Sequence, residues 1–171
     1  MIDQFSSDGT GWAQFSDDIT MRYRLARSLD GRALPLLYVD PNLAAAPECT
    51  GAPARRCIFL MLNPSTADAF RPDPTVTECR KRAVALGADV LEVVNLFALR
   101  SPYPKDLKKC AAGSRGDDET NNAAILTACR DAYRVIAAWG NDGEIGGREV
   151  IVRRLLAEAG IELHHLGTTQ D

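Results

Sequence analysis

Apolar and polar positions change their spacing along this chain, and each change marks a different kind of element. Over residues 21–26, Met21, Tyr23 and Leu25 alternate with Arg22, Arg24 and Ala26, the two-residue period of a strand. Asp30-Gly31 then supplies a turn whose glycine accepts positive φ. Residues 21–40 are therefore predicted to form a β-hairpin. Residues 1–18 are polar and contain Gly and Ser, which predicts a poorly ordered opening. Residues 41–56 read as a Pro/Ala/Gly loop.

From residue 57 onward, apolar runs alternate with helical spacing. CIFLML (57–62) is unbroken, as in a strand buried on both faces. The loop NPSTADAFRP leads to a helix with Asp73 as N-cap, Pro74 in the first turn and Gly87 just past the end. Val76, Cys79, Ala83 and Leu86 fall on one side of it. DVLEVVNLF (89–97) is a second strand, followed by the loop ALRSPYPKDL. Residues 118–131 form a helix through Ile125, Leu126 and Cys129, and RVIAAWG (134–140) a third strand. Residues 145–159 form a helix bearing Val152, Leu155, Leu156 and Ala159, stopped by Gly160. IELHHLG (161–167) is the last strand. The predicted class is α/β: one domain, a three-layer α/β/α sandwich with a four-stranded parallel sheet and an N-terminal antiparallel β-hairpin at one edge.

At 171 residues, such a chain buries about two thirds of its unfolded surface and needs no staples. No apolar run approaches the roughly 20 residues of a membrane span, and MIDQFSSDGTGW lacks the plan of a signal peptide. No membrane association is expected, and the compartment is expected to be cytoplasmic. Five cysteines (Cys49, Cys57, Cys79, Cys110, Cys129) without CxxC spacing are expected to be free thiols. The net charge of −3 hides an uneven distribution: −3 over residues 1–54, +5 over 55–115 and −5 over 116–171. The positive middle can attract a phosphate-bearing ligand. Its plain alternative is a solvated helix face such as Arg80-Lys81-Arg82.

Open parallel sheets bind ligands beyond the carboxyl ends of their strands. Here the strands end in Asn63-Pro64-Ser65-Thr66-Ala67-Asp68, in Asn95 running on to Arg100, in Trp139-Gly140-Asn141 and in Gly167-Thr168-Thr169. These tips are expected to meet around one hollow with Asn63 at its floor. Each also has a structural alternative: Asn-Pro is a turn signal, and Ser65, Thr66 and Asp68 can satisfy loop amides. The phosphate loop, the dinucleotide fingerprint and the GxSxG elbow are all missing. His164 and His165 are adjacent on a strand and face opposite sides, so no metal is expected, and no cofactor is implied. The cysteines fall mostly on apolar faces and are read as packing groups.

The segments MRYRLAR, FLMLNPSTADAFRPDPTVTEC, VVNLFALRSPYP, AAWGNDG and LGTT, in that order, resemble an uncharacterised bacterial and phage family, domain of unknown function 1643, over residues 20–170. That family carries a Gly-Pro-Glu-Asn-Asp-like stretch before the second helix. Residues 116–122 stand there, so Asn121 or Asn122 takes the asparagine position. A Gly-x-Pro-Arg-His-Pro-like segment, usual after the last strand in that family, is not found before Asp171. The motif order is also similar, more distantly, to the uracil-DNA glycosylase superfamily. Leu62-Asn63-Pro64-Ser65 resembles the Gly-Ile-Asn-Pro-Gly of its mismatch-specific branch, where the asparagine positions the attacking water. Asn95 to Pro104 resembles the asparagine and Arg- and Pro-rich loop of other branches, and Ala138-Trp139-Gly140 stands at their Leu-Gly. Their final His-Pro-Ser loop has no counterpart.

The resemblance implies a nucleobase, nucleotide or nucleic acid as partner and N-glycosidic cleavage as the reaction. Asn63 would orient water, and Asp68 would act as base or as electrostatic partner of the cationic sugar. Asn95 would read a base edge, Phe70 or Phe97 would stack on the base, and Arg71 and Arg100 would take a phosphate. Pro64, Ser65, Thr66, Asp73, Asn121, Trp139 and Gly140 complete the expected substrate-binding set. Two rivals stand beside this reading: a non-catalytic base- or nucleotide-binding module, and an unrelated hydrolase using Asp68 or Asp73. Nothing in the sequence sets an oligomeric state.

Overall fold

The computed structural model describes residues 1–34, 54–103 and 105–167. Seven strands make one sheet: β1 (Ile2–Phe5), β2 (Gly11–Phe15), β3 (Arg22–Ser28), β4 (Arg56–Met61), β5 (Val90–Asn95), β6 (Arg134–Ala137) and β7 (His164–His165). Their order is β1-β2-β3-β5-β4-β6-β7. The first three strands form an antiparallel meander, and β3 runs antiparallel to β5. Strand β4 is parallel to β5 and β6, and β6 to β7. The architecture is therefore a seven-stranded mixed α/β sheet in which β5, β4, β6 and β7 run parallel and the antiparallel edge is a three-stranded meander rather than a hairpin. The hairpin partner of β3 is β2, which precedes it; the expected second arm, residues 35–40, lies outside the described residues, as do the rest of the loop to residue 53 and Thr168 and Thr169.

Two of these strands, β1 and β2, occupy the segment read from sequence as a polar opening. What organises it is a repeated turn, Ser-x-Asp-x-Thr, at residues 6–10 and again at 16–20. In the first, Asp8 Oδ1 accepts from Ser6 Oγ (2.6 Å), Thr10 N (3.0 Å) and Thr10 Oγ1 (2.8 Å). In the second, Asp18 Oδ1 accepts from Ser16 Oγ (2.6 Å), Thr20 N (3.1 Å) and Thr20 Oγ1 (2.8 Å). A carboxylate that accepts several donors stays charged to low pH. The Ser6 hydroxyl, then Thr10, hold the Asp8 carboxyl down to about 2. Gly9 takes φ 71° in the first turn, and Ile19 takes φ 61° at the matching place in the second.

One sheet face is covered by α1 (Pro74–Ala85). Asp73 caps it by accepting from Val76 N at 2.8 Å, and Gly87 leaves it at φ 76°. Its Val76, Cys79 and Ala83 pack on Phe59, Met61, Leu91 and Val93. The other face carries α2 (Lys105–Lys109), α3 (Glu119–Cys129) and α4 (Arg148–Glu158). There Ile125, Ala128, Val152 and Leu156 close over Ile58, Leu60 and Val94. Helix α4 starts later than its spacing suggests because Asn141–Gly147 forms a 3-10 segment, with Gly146 and Gly147 at positive φ.

Two details of the sheet bear on the site. The chain leaves β4 toward α1 on one face and leaves β6 toward α4 on the other, so strand order reverses between β4 and β6, next to the β4–β5 tips. The β2–β3 register also breaks: Gln14 pairs with Arg24 but Phe15 with Arg22, leaving Tyr23 as an extra residue. Because Phe15 and Leu25 both belong to the α1-side core, this bulge turns Arg22 onto that same side.

Candidate functional site

Asn95 is the last residue of β5 and pairs in register with Met61 of β4. Alternation along β5 puts Leu91 and Val93 in the α1-side core, and Asn95 follows them onto that face. Its side chain is 0% exposed, and neither its Nδ2 nor its Oδ1 has a hydrogen-bond partner among the described residues. A buried amide without partners costs on the order of 1–3 kcal/mol. Native folds keep few such groups, and they tend to mark a function or a missing ligand.

Arg22 lies on the same face one strand away, at 1% exposure. Its Nη1 donates to the carbonyl of Ala67 at 2.8 Å, and its buried Nε has no partner. Among the described residues no carboxylate comes within ion-pair distance of it. Burial lowers its pKa to about 10, with Asp73 opposing and Arg100 adding to the shift, so the group stays charged at neutral pH. Arg27, on the same strand, donates to the carbonyls of Asp68 and Ala69. Two arginines of β3 thus hold the loop between β4 and α1 across the sheet. The approach is close enough that a Cβ on Gly11 would collide with the Ala69 carbonyl and the Arg27 guanidinium. Sequence alternation assigns Arg22 to a polar face and so misses it; the only clue is the crowding of Arg22, Arg24 and Arg27 in one short strand.

Asn63 stands at the β4 tip, half-buried. Its Nδ2 donates to the carbonyls of Ser101 (2.9 Å), Pro64 (3.1 Å) and Leu99 (3.4 Å), stitching the loops after β4 and β5 together. Those carbonyls fix which way the amide faces, and its Oδ1 accepts nothing among the described residues. Asp68 Oδ1 accepts from Phe70 N and Arg71 N, both at 2.8 Å, so this carboxylate closes its own turn. Asp73 is committed to capping α1. Pro64 is buried, while Ser65 and Thr66 are half-buried and exposed and make no side-chain hydrogen bonds among the described residues. Phe70 is 60% exposed beside exposed Arg71. Arg100 lies over the Phe15 ring at 5.0 Å and donates to the Ile19 carbonyl at 3.2 Å.

The remaining expected residues are elsewhere. Phe97 is enclosed in the α3/α4-side core at 0% exposure and is unavailable for stacking; its neighbours there are hydrocarbon side chains. Asn121, also on that side, donates through Nδ2 to the carbonyls of Asn95 (3.1 Å) and Leu96 (3.0 Å), with Arg148 Nε on Leu96 O at 2.7 Å. These two side chains brace the β5 tip from behind rather than facing the Asn95 amide. Trp139 and Gly140 line a groove of about 870 Å³ beyond β6 and β7, together with Glu149, Arg153, His164 and His165. Trp139 Nε1 donates to Glu149 at 3.0 Å, and Arg153 stacks on its ring at 4.9 Å. Neither Asn63 nor Asn95 lines that groove, so the strand ends serve two separate regions rather than one hollow.

Cys57, Cys79 and Cys129 are buried. Burial pushes their thiols up to about 11, about 11 and about 12, away from the thiolate a nucleophile needs. No three His, Cys, Asp or Glu among the described residues are grouped to hold a metal ion, and no helix among them is long and apolar enough to cross a membrane.

Taken together, these elements define a mixed α/β protein whose candidate ligand site lies on the α1 side of the β4 and β5 tips. The chain belongs to the family described as protein of unknown function DUF1643, whose model matches residues 48–171. No curated protein and no solved structure matches the chain.

Proposed function

We propose that this protein reads a nucleobase at the β4–β5 tips and acts on it as a glycosylase-like domain. The observation that carries the reading is the Asn95 amide, wholly buried with donor and acceptor both unpartnered. A planar amide matches the adjacent donor and acceptor on a base edge. Asn63 supports the catalytic half: its Nδ2 is spent on carbonyls, and its Oδ1 remains to hold a water. Help of this kind in proton handling is typically worth 10²–10⁴ in rate. Phe70 provides the exposed ring for stacking on an extruded base, and entry requires the loop over Ala67 and Ala69 to lift from β2 and β3.

A second reading is favoured by one specific observation. Asp68 spends a carboxylate oxygen on two backbone amides, which argues for a base- or nucleotide-binding module without turnover. The test is an assay of the full chain on oligonucleotides bearing uracil, mismatched thymine or damaged bases, with Asn63→Ala as control. Base release that falls at least about tenfold in Asn63→Ala supports catalysis. Saturable base binding without release supports the module, and neither release nor binding refutes both.

A further inference from the structure

The base-reading proposal leaves the buried cation beside Asn95 unused. Arg22 engages the Ala67 carbonyl through Nη1 alone. In a guanidinium, Nε–H and Nη2–H point the same way and form the fork that grips an oxyanion with two parallel bonds. Here the Nε of that fork is buried and unpartnered, and Nη2 makes no hydrogen bond among the described residues. An arginine at 1% exposure without a carboxylate is an unusual expense, because a buried charge ordinarily comes paired.

Among the described residues no carboxylate pairs with it directly. Arg27 and Arg100 add positive potential at Arg22. The two carboxylates that act on it from a distance, Asp68 and Asp73, accept the amides of their own turn and helix. Arg22, Arg27 and Arg100 against Asp68 and Asp73 leave one positive charge over, beside an open bidentate fork and, one strand over on the same face, an open amide.

We infer that Arg22 is the seat of an oxyanion, and that with Asn95 reading the base, the anion is the phosphate of a nucleotide. The inference rests on the base reading for the identity of the whole ligand, but the anion seat stands on Arg22 alone. It makes the substrate a nucleotide unit rather than a free base or a nucleoside. It also assigns phosphate recognition to a residue inside the fold, whereas Arg71 is exposed and Arg100 is engaged with Ile19 and Phe15.

The experiment is calorimetric titration and thermal melting of the full chain with inorganic phosphate, acetate, a set of nucleoside 5′-monophosphates and the corresponding nucleosides. Phosphate is expected to raise the melting temperature, and at least one monophosphate to bind about tenfold or more tightly than its nucleoside. Arg22→Met should abolish that advantage; because it also removes the donor to the Ala67 carbonyl, the ligand-free melting temperature does not decide the matter. A purely structural arginine would leave phosphate affinity alone when replaced; that result overturns the inference. Should Arg22→Met not fold, Arg22→Lys decides, because it keeps the charge and loses the fork: unchanged phosphate affinity refutes the seat, and weakened affinity supports it. Acetate binding as well as phosphate, with no monophosphate advantage, overturns the phosphate assignment. The two readings fail separately. Asn95→Leu that keeps phosphate binding but loses discrimination among monophosphates supports both, and wild-type phosphate binding with no discrimination among bases sinks the base reading alone.

Discussion

The same sheet buries arginines at two places and treats them in opposite ways. Toward the starts of β4 and β5, Glu92, fully buried, accepts from Arg24 at 2.6 Å and pairs with Arg56 at 3.2 Å. Arg56 goes on to donate to the carbonyls of Ala128 and Arg130, and Arg24 lies over the Trp12 ring at 4.9 Å. That network is closed on itself. At the carboxyl ends of the same strands, Arg22 has one carbonyl and the Asn95 side-chain amide has no partner among the described residues. Buried polar groups are costly when unmatched, and among the described residues Arg22 and Asn95 put two such groups on one face of neighbouring strands, while single unmatched atoms such as Arg27 Nε, Arg115 Nε and Arg148 Nη2 are scattered elsewhere.

The sharpest way to break this comparison is to break the closed network. Glu92→Gln leaves two buried guanidiniums short of their carboxylate and should lower the unfolding free energy by about 3–5 kcal/mol, read from urea denaturation. A loss under about 1 kcal/mol would mean the two ends do not differ as described. Next in size is Asn95→Leu. Removing a donor and an acceptor that nothing satisfies should leave ligand-free stability equal or raise it by up to about 1–2 kcal/mol, and clear destabilisation would show that the amide is already used.

Smaller effects sharpen the picture around β3. Ile19 holds positive φ where the twin turn has Gly9, and its carbonyl receives Arg100. Ile19→Gly keeps that carbonyl and should raise stability by up to about 1 kcal/mol, the relief of left-handed strain less the entropy of glycine. The least effect is expected from acid. Ser6 and Thr10 hold Asp8 near 2, Arg32 with Ser28 does the same for Asp30, and Ser16 with Thr20 depresses Asp18. Their folded carboxyls lie below the unfolded value, so what they contribute is complete above about pH 4 and is lost as pH falls toward 2. Amide exchange in the meander should quicken over that window before the β4–β5 ladder does.

Much of the parallel half of the sheet was legible because its signals are local. Asp73, Pro74 and Gly87 bound α1 where their chemistry says they should, and the apolar runs at 57–62 and 89–97 hold strands β4 and β5. The N-terminal strands were not legible, because Trp12 and Phe15 are their main buried large side chains and the ordering lies in hydroxyl-to-carboxylate turns that read as polar loop. Of the candidate site, the strand-end asparagines could be placed from sequence. The orientation of Arg22 could not, since it depends on where one strand slips against another. Phe97 was not legible for a related reason: alternation past the end of β5 sends it behind the sheet, where Asn121 of α3 also reaches the β5 tip.

Tyr23 is the residue that the β2–β3 ladder leaves over. Were Tyr23 instead to take the place opposite Phe15, alternation would hold along β3 and the neighbouring guanidinium would fall on the face of Arg24 and Glu92. A single surplus link in the backbone therefore separates a sheet that merely folds from one that keeps a positive charge waiting indoors.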